Sequence, residues 1–150
     1  MTDAMSLASI RGDVHSVRMG RITLTFKPDH AGSAYSLCES LSEPGAVGAD
    51  PHRHASYEET HIVIEGEYEF TIGPEVVRLG PGGMAYMPRG VLHAIRKVDQ
   101  GVGRQLIVSS PAGVFEAFIR EVVAARAEAE AQGLTFDIRP VAERHDVEFV

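Results

Sequence analysis

The sequence of 150 residues has no tryptophan and a single cysteine, Cys38, so no internal disulfide can hold the fold. Basic residues are scarce: 14 Lys and Arg stand against 21 Asp and Glu, for a formal charge of −7. No basic stripe is available to neutralise phosphates, which removes nucleic acid from the expected partners. No apolar run approaches the roughly 18 residues that a membrane span requires. The opening residues MTDAMSLASIRGDVHS have neither the basic start nor the apolar stretch of a signal peptide. These absences together predict a cytoplasmic protein that contacts no membrane. Internal repeats and low-complexity tracts are also missing, and the length suits one domain.

What is present is a succession of short runs with β composition. RITLTF (21–26), AYSLCESL (34–41), ETHIVIEGEYEFTIG (59–73), EVVRL (75–79), MAYMP (84–88), LHAIRKV (92–98) and LIVSS (106–110) are separated by Gly, Pro and other turn formers. Short strands with frequent turn signals indicate a sandwich or barrel. Residues 1–14 read as a loose arm and SEPGAVGADP (42–51) as a loop. At Ser110 the period changes. Val114, Phe115, Phe118, Ile119, Val122 and Val123 recur at helical spacing, with Ser110 as N-cap, Pro111 as first helical residue, an end near Gln132 and Gly133 as the stop. The Phe115 and Phe118 face is expected to pack on the barrel, closing one end or meeting a partner subunit. RPVAERHDVEFV (139–150) suggests a short helical turn and an extended end.

The chemistry is concentrated in PHRHASYEETHIVIEG (51–66). Residues two apart on a strand share a face, so His52 and His54 project together. Paired neutral imidazoles suit a transition metal. Glu59 has the wrong parity for a straight continuation, so a turn at ASYE must bring the next strand back, with Glu59, His61 and Val63 on one face and Thr60, Ile62 and Ile64 on the other. A further imidazole is available from MPRGVLHAI, which places His93 on a strand after a Pro-x-Gly turn, with Ile95 on its face. Three imidazoles and one carboxylate would hold a divalent metal and leave coordination positions open, as in a catalytic site.

These residues resemble the two motifs of the cupin superfamily. His52-x-His54, four residues, Glu59, six residues and Gly66 match most of the first; Gly82, five residues, Pro88-x-Gly90, two residues and His93 match most of the second. Fifteen residues separate them, as in small single-domain cupins. The stretch from Gly20 to Phe118, with the SPAGVFEAFIRE segment, is similar to quercetin 2,3-dioxygenase-like proteins. The resemblance implies an all-β fold, an antiparallel β-barrel of the double-stranded β-helix or jelly-roll type over residues 15–110, with a C-terminal helix and tail over 111–150. It also implies a homodimer and one metal (Fe, Mn, Ni, Cu, Co or Zn) held by His52, His54, Glu59 and His93. Glu58 is the rival to Glu59, and the distance to Gly66 favours Glu59. Three positions depart from the pattern: Ala46 replaces a motif glycine with Gly45 and Gly48 nearby, Lys97 replaces a final asparagine, and His61 stands where an apolar residue is common.

A titratable imidazole at His61 is a candidate general base, with Glu59 beside it as the other candidate catalytic residue, because its ordinary pKa lies near ~6.5. The plainer reading of His61 is a buried or rim residue. Phe26, Tyr35, Tyr68, Phe70, Met84 and Tyr86 are candidate pocket residues, against which stands their reading as barrel core. His15, His30 and His145 read as surface residues, and Cys38 as a small buried hydrophobe. The function expected first is a metal-dependent dioxygenase acting on a small aromatic or polyketide-like molecule. The second expectation is a non-redox isomerase, cyclase, lyase or decarboxylase using the metal as a Lewis acid. A small-molecule-binding barrel without turnover is the third.

Overall fold

The computed structural model describes residues 15–27 and 33–150; the arm expected over 1–14 and His30 lie outside the described residues. Eleven strands and two helices follow one another among the described residues: β1 His15–Met19, β2 Ile22–Phe26, β3 Ser36–Ser42, β4 Gly48–His54, β5 Glu58–Glu65, β6 Tyr68–Ile72, β7 Glu75–Leu79, β8 Met84–Met87, β9 His93–Lys97, β10 Gly103–Ser110, α1 Val114–Ala131, α2 Arg139–Arg144 and β11 Val147–Phe149. The strands form two antiparallel sheets, one in the order β1-β2-β3-β10-β5-β8 and the other β11-β4-β9-β6-β7. This is the jelly-roll β-barrel with a C-terminal helix.

Alternation decides which side chains meet inside. Along β3 the buried residues are Ser36, Cys38, Ser40 and Ser42, while Leu37 and Leu41 face outward. Small polar groups therefore line this wall of the interior, against the usual apolar-in pattern. Gln105 of β10 sits in register with Ser40 and Val63, and Ile107 with Cys38 and His61. Two apolar clusters flank this polar belt. One joins Leu24, Phe26 and Ile107 of the barrel to Phe115, Phe118 and Val122 of α1, and the other gathers Val63, Tyr68, Phe70, Met87 and Ile95. The Phe115 and Phe118 face does pack on the barrel. Cys38 is buried and unpaired, and burial pushes its thiol up to about 12.

Several local expectations change. SEPGAVGADP is not all loop, since β4 begins at Gly48; its Pro51 is accommodated at a β-bulge, where a missing N–H interrupts no regular ladder. Gly48 opens that strand with φ +130, and a Cβ there would lie 2.0 Å from the Ile95 carbonyl oxygen. The helix starts three residues later than expected. Ser110 stays paired in β10, and Gly113, with φ 79, is the residue that turns the chain into α1. His15–Met19 forms a strand the sequence did not signal. The extended end is β11, which joins a barrel sheet by pairing with β4. His145 is not a free surface residue: its Nε2 lies 2.5 Å from Glu121 Oε2, tying the end of α2 to α1. His15, half-exposed, faces Glu116 at 3.4 Å and stacks over Phe26.

Candidate metal centre

β4 and β9 are neighbours in one sheet, and their register sets His52 directly opposite His93. His54, two residues on, returns to the same inner face. The ring centroids of His52 and His93 are 4.3 Å apart, and those of His54 and His93 are 4.8 Å apart. One nitrogen from each of the three rings falls within 4.8 Å of the others. The Pro88-x-Gly90 turn contributes to this approach, because the Gly90 amide donates to the His54 carbonyl at 2.8 Å and so fastens the start of β9 to the end of β4.

The outer nitrogen of every ring is occupied by a main-chain carbonyl. Nδ1 of His52 lies 2.7 Å from the Asp50 oxygen, that of His54 2.6 Å from the Tyr57 oxygen, and that of His93 2.9 Å from the Val91 oxygen. A carbonyl only accepts, so each Nδ1 carries the proton and each Nε2 presents a lone pair. Nε2 of His54 and of His93 is buried with no hydrogen-bond partner among the described residues. An unsatisfied buried polar atom costs about 1–3 kcal/mol, and two such atoms converging beside a third imidazole are satisfied together by a cation. Oriented Nδ1 atoms with free Nε2 atoms form the donor set that suits a divalent transition metal. The residues present thus fit the group.

The facing sheet supplies Glu59 and His61. The bend at 55–57 does not fold the chain back as a neighbouring strand; it carries the chain across the barrel, so that β5 confronts β4 from the other sheet. Glu59, His61 and Val63 point inward, as the parity predicts. Glu59 Oε2 lies 3.4 Å from His54 Nε2 and 3.6 Å from His61 Nε2, and His61 Nδ1 lies 2.8 Å from the Gln105 side-chain oxygen. Glu59 is outside the tight group of three imidazoles and stands between that group and His61. Glu58 points outward, where it accepts from the Tyr86 hydroxyl at 3.2 Å.

Burial opposes ionisation of Glu59, but the neighbouring His54 and His61 imidazoles outweigh it and hold the carboxyl well below its usual range. Burial, and then the neighbouring His52 ring, lowers His93 to about 4; burial likewise lowers His52. In the metal-free protein these shifts share one direction. Below 6.5 the unfolded chain protonates imidazoles that the folded chain keeps neutral, so the unfolded state binds more protons and stability falls with pH. Glu59 acts in the same sense below 4.5. The metal-free melting temperature is therefore expected to drop continuously from about pH 7 to about pH 4, as followed by circular dichroism; a flat profile over that window would contradict buried, neutral His52 and His93.

The candidate pocket residues separate into two groups. Phe70 is fully buried, with its ring edge-on to His61 at a centroid distance of 6.0 Å. Tyr68 is buried with its hydroxyl on Ser42, and Phe26 packs against Phe115 under α1. Tyr35, Met84 and Tyr86 are exposed. On β8 the alternation sends Ala85 and Met87 inward and turns Met84 and Tyr86 to solvent, so those three line no interior wall. Lys97 points inward, and its ammonium is held by the carboxylate and carbonyl of Asp99. Sequence reasoning missed Tyr57, whose ring lies flat on His54 at 3.8 Å, Gln105 behind His61, and Phe149, which stacks on His52 at 5.2 Å. Phe149 alternates with Val147 around Glu148, a weak strand signal; Tyr57 and Gln105 carried none.

A family model described as a cupin domain matches residues 40–108. No curated protein matches the sequence. Among solved structures, KdgF from Halomonas sp. is similar over 68% of this chain and 90% of its own, at 20% identity and a TM-score of 0.59. An RmlC-like cupin from Shewanella frigidimarina is similar over 72% and 93%, at 18% identity and a TM-score of 0.61. Pac13, described as a nucleoside dehydratase, covers 97% and 91%, at 12% identity and a TM-score of 0.62. At such identities the likeness concerns the fold.

Proposed function

We propose, from the cupin-domain match over residues 40–108 and the cupin-like fold, that the chain is a metal-dependent, non-redox cupin enzyme, a lyase or isomerase acting on a small oxygenated molecule. The observation that carries this reading is His61 and Glu59 together: a buried imidazole whose Nε2 has no hydrogen-bond partner among the described residues, 3.6 Å from a buried carboxylate oxygen. A bound divalent cation would act as a Lewis acid on a substrate carbonyl or hydroxyl. His52, His54 and His93 would hold it, and Glu59, 3.4 Å from His54 Nε2, would add a fourth donor. His61 Nε2 would accept a proton from substrate carbon. Glu59 would stabilise the imidazolium so formed, and Gln105 would keep the ring in place through Nδ1. Ser40 and Gln105, buried along the same interior, suit a substrate with hydroxyl or carbonyl groups better than a wholly apolar one. Pac13, a protein of the same fold described as a dehydratase, is consistent with proton transfer on this scaffold.

Dioxygenase chemistry on an aromatic or polyketide-like molecule is the second reading. Three imidazoles with Glu59 form a donor set that also accepts redox metals. Oxygen dependence separates the two. Turnover is expected to persist under anaerobic conditions and with zinc as the only metal; turnover that stops without dioxygen and resumes with it would overturn the non-redox reading in favour of the second.

A further inference from the structure

We propose that β11 is part of the metal centre, with Phe149 as the positioning residue that fixes the His52 imidazole and shields its cation. The inference rests on the metal-centre reading above. His52 is the most exposed of the three imidazoles, 9% against 0% for His54 and 1% for His93. Its Nδ1 is anchored by a single carbonyl, that of Asp50, and one hydrogen bond leaves a ring torsion with a broad well. What closes its remaining side is the Phe149 ring, nearly parallel at 25° with a centroid separation of 5.2 Å.

That ring is placed by register. Phe149 pairs with His52, Glu148 with Arg53 and Val147 with His54, so the inner-face residues of the strap lie over the two β4 histidines in turn. Backbone bonds continue the pairing at both ends, from the Ala55 amide to the Asp146 oxygen at 3.0 Å and from the Val150 amide to the Pro51 oxygen at 3.2 Å. Between them Glu148 points outward and accepts two bonds from Arg53, at 2.8 and 3.0 Å. The strap also spares β4 an open edge, since β9 is its only other neighbour in the sheet. Upstream, Arg144 and His145 both bind Glu121 of α1, which holds the entry to the strap in place.

Zinc binding by the full chain tests this. Apo-protein is titrated with Zn2+ against a chromophoric chelator, and release is timed after a chelator challenge. Phe149→Ala is expected to bind about tenfold more weakly, the lower range for loss of a group that orients a metal ligand, and to release zinc faster. Phe149→Leu keeps apolar bulk without a ring face and is expected to release faster also, with its fold intact by circular dichroism. Phe149→Tyr and Glu148→Ala are expected to match the parent chain. Parent-like affinity and release in both Phe149→Ala and Phe149→Leu would overturn the inference while leaving the metal centre standing. An equal loss in Glu148→Ala would overturn it too, by assigning the effect to strand pairing. A parent chain that binds no zinc would instead sink the centre itself.

Discussion

His54→Ala is expected to weaken the centre, with zinc affinity lower by roughly 10²-fold or more. Four-ligand zinc sites bind with about 10–16 kcal/mol, so one ligand accounts for about 3 kcal/mol. His54 is the severest of the three cases because it is fully buried and held on two sides, by the Tyr57 carbonyl at Nδ1 and by the Tyr57 ring 3.8 Å from its own. Elemental analysis and chelator competition give the answer. A folded His54→Ala chain that retains stoichiometric metal at parent affinity would mean that the three imidazoles do not share a cation.

His61→Phe is expected to act differently, leaving metal content unchanged while turnover falls about 10²- to 10⁴-fold, the range for loss of a positioned general base. Phenylalanine keeps an aromatic ring where His61 meets Phe70 edge-on. The substitution leaves the Gln105 side chain without its 2.8 Å partner, at a cost of about 1–3 kcal/mol, so a melting curve must accompany the rate. Undiminished turnover would remove His61 from the chemistry. Loss of metal in parallel with loss of rate would make it a ligand and leave the proton without an acceptor.

How much of this was legible in the sequence depends on the range of the interaction that decides each feature. The inward direction of His52 with His54, and of Glu59 with His61 and Val63, follows from period-two alternation within one strand, and the structure has both. His93 came into view through motif spacing, and the register that sets it opposite His52 makes physical sense of that spacing. Composition misled at GADP, where Gly and Pro read as loop although the residues are the first half of β4. It misled again on β8, where Met84 and Tyr86 look outward. Which sheet a strand joins is set by contacts between distant segments. Nothing local to VEFV indicates that its Phe149 will come to lie on a histidine almost a hundred residues earlier.

The bulge in β4 has a consequence that no side-chain replacement would reveal. From Ala49 to His52 the strand advances three positions while β9 advances two, from Ile95 to His93, so Asp50 and Pro51 both lie on the solvent side before the inner face resumes. Without that bulge, regular pairing of the same residues would put Arg53 into the barrel and hand both imidazoles to water. The ability to capture a cation is thus stored in this strand as a tally of backbone units: the extra unit between Ala49 and His52 must be set aside in the bulge for both ligands to return to the interior.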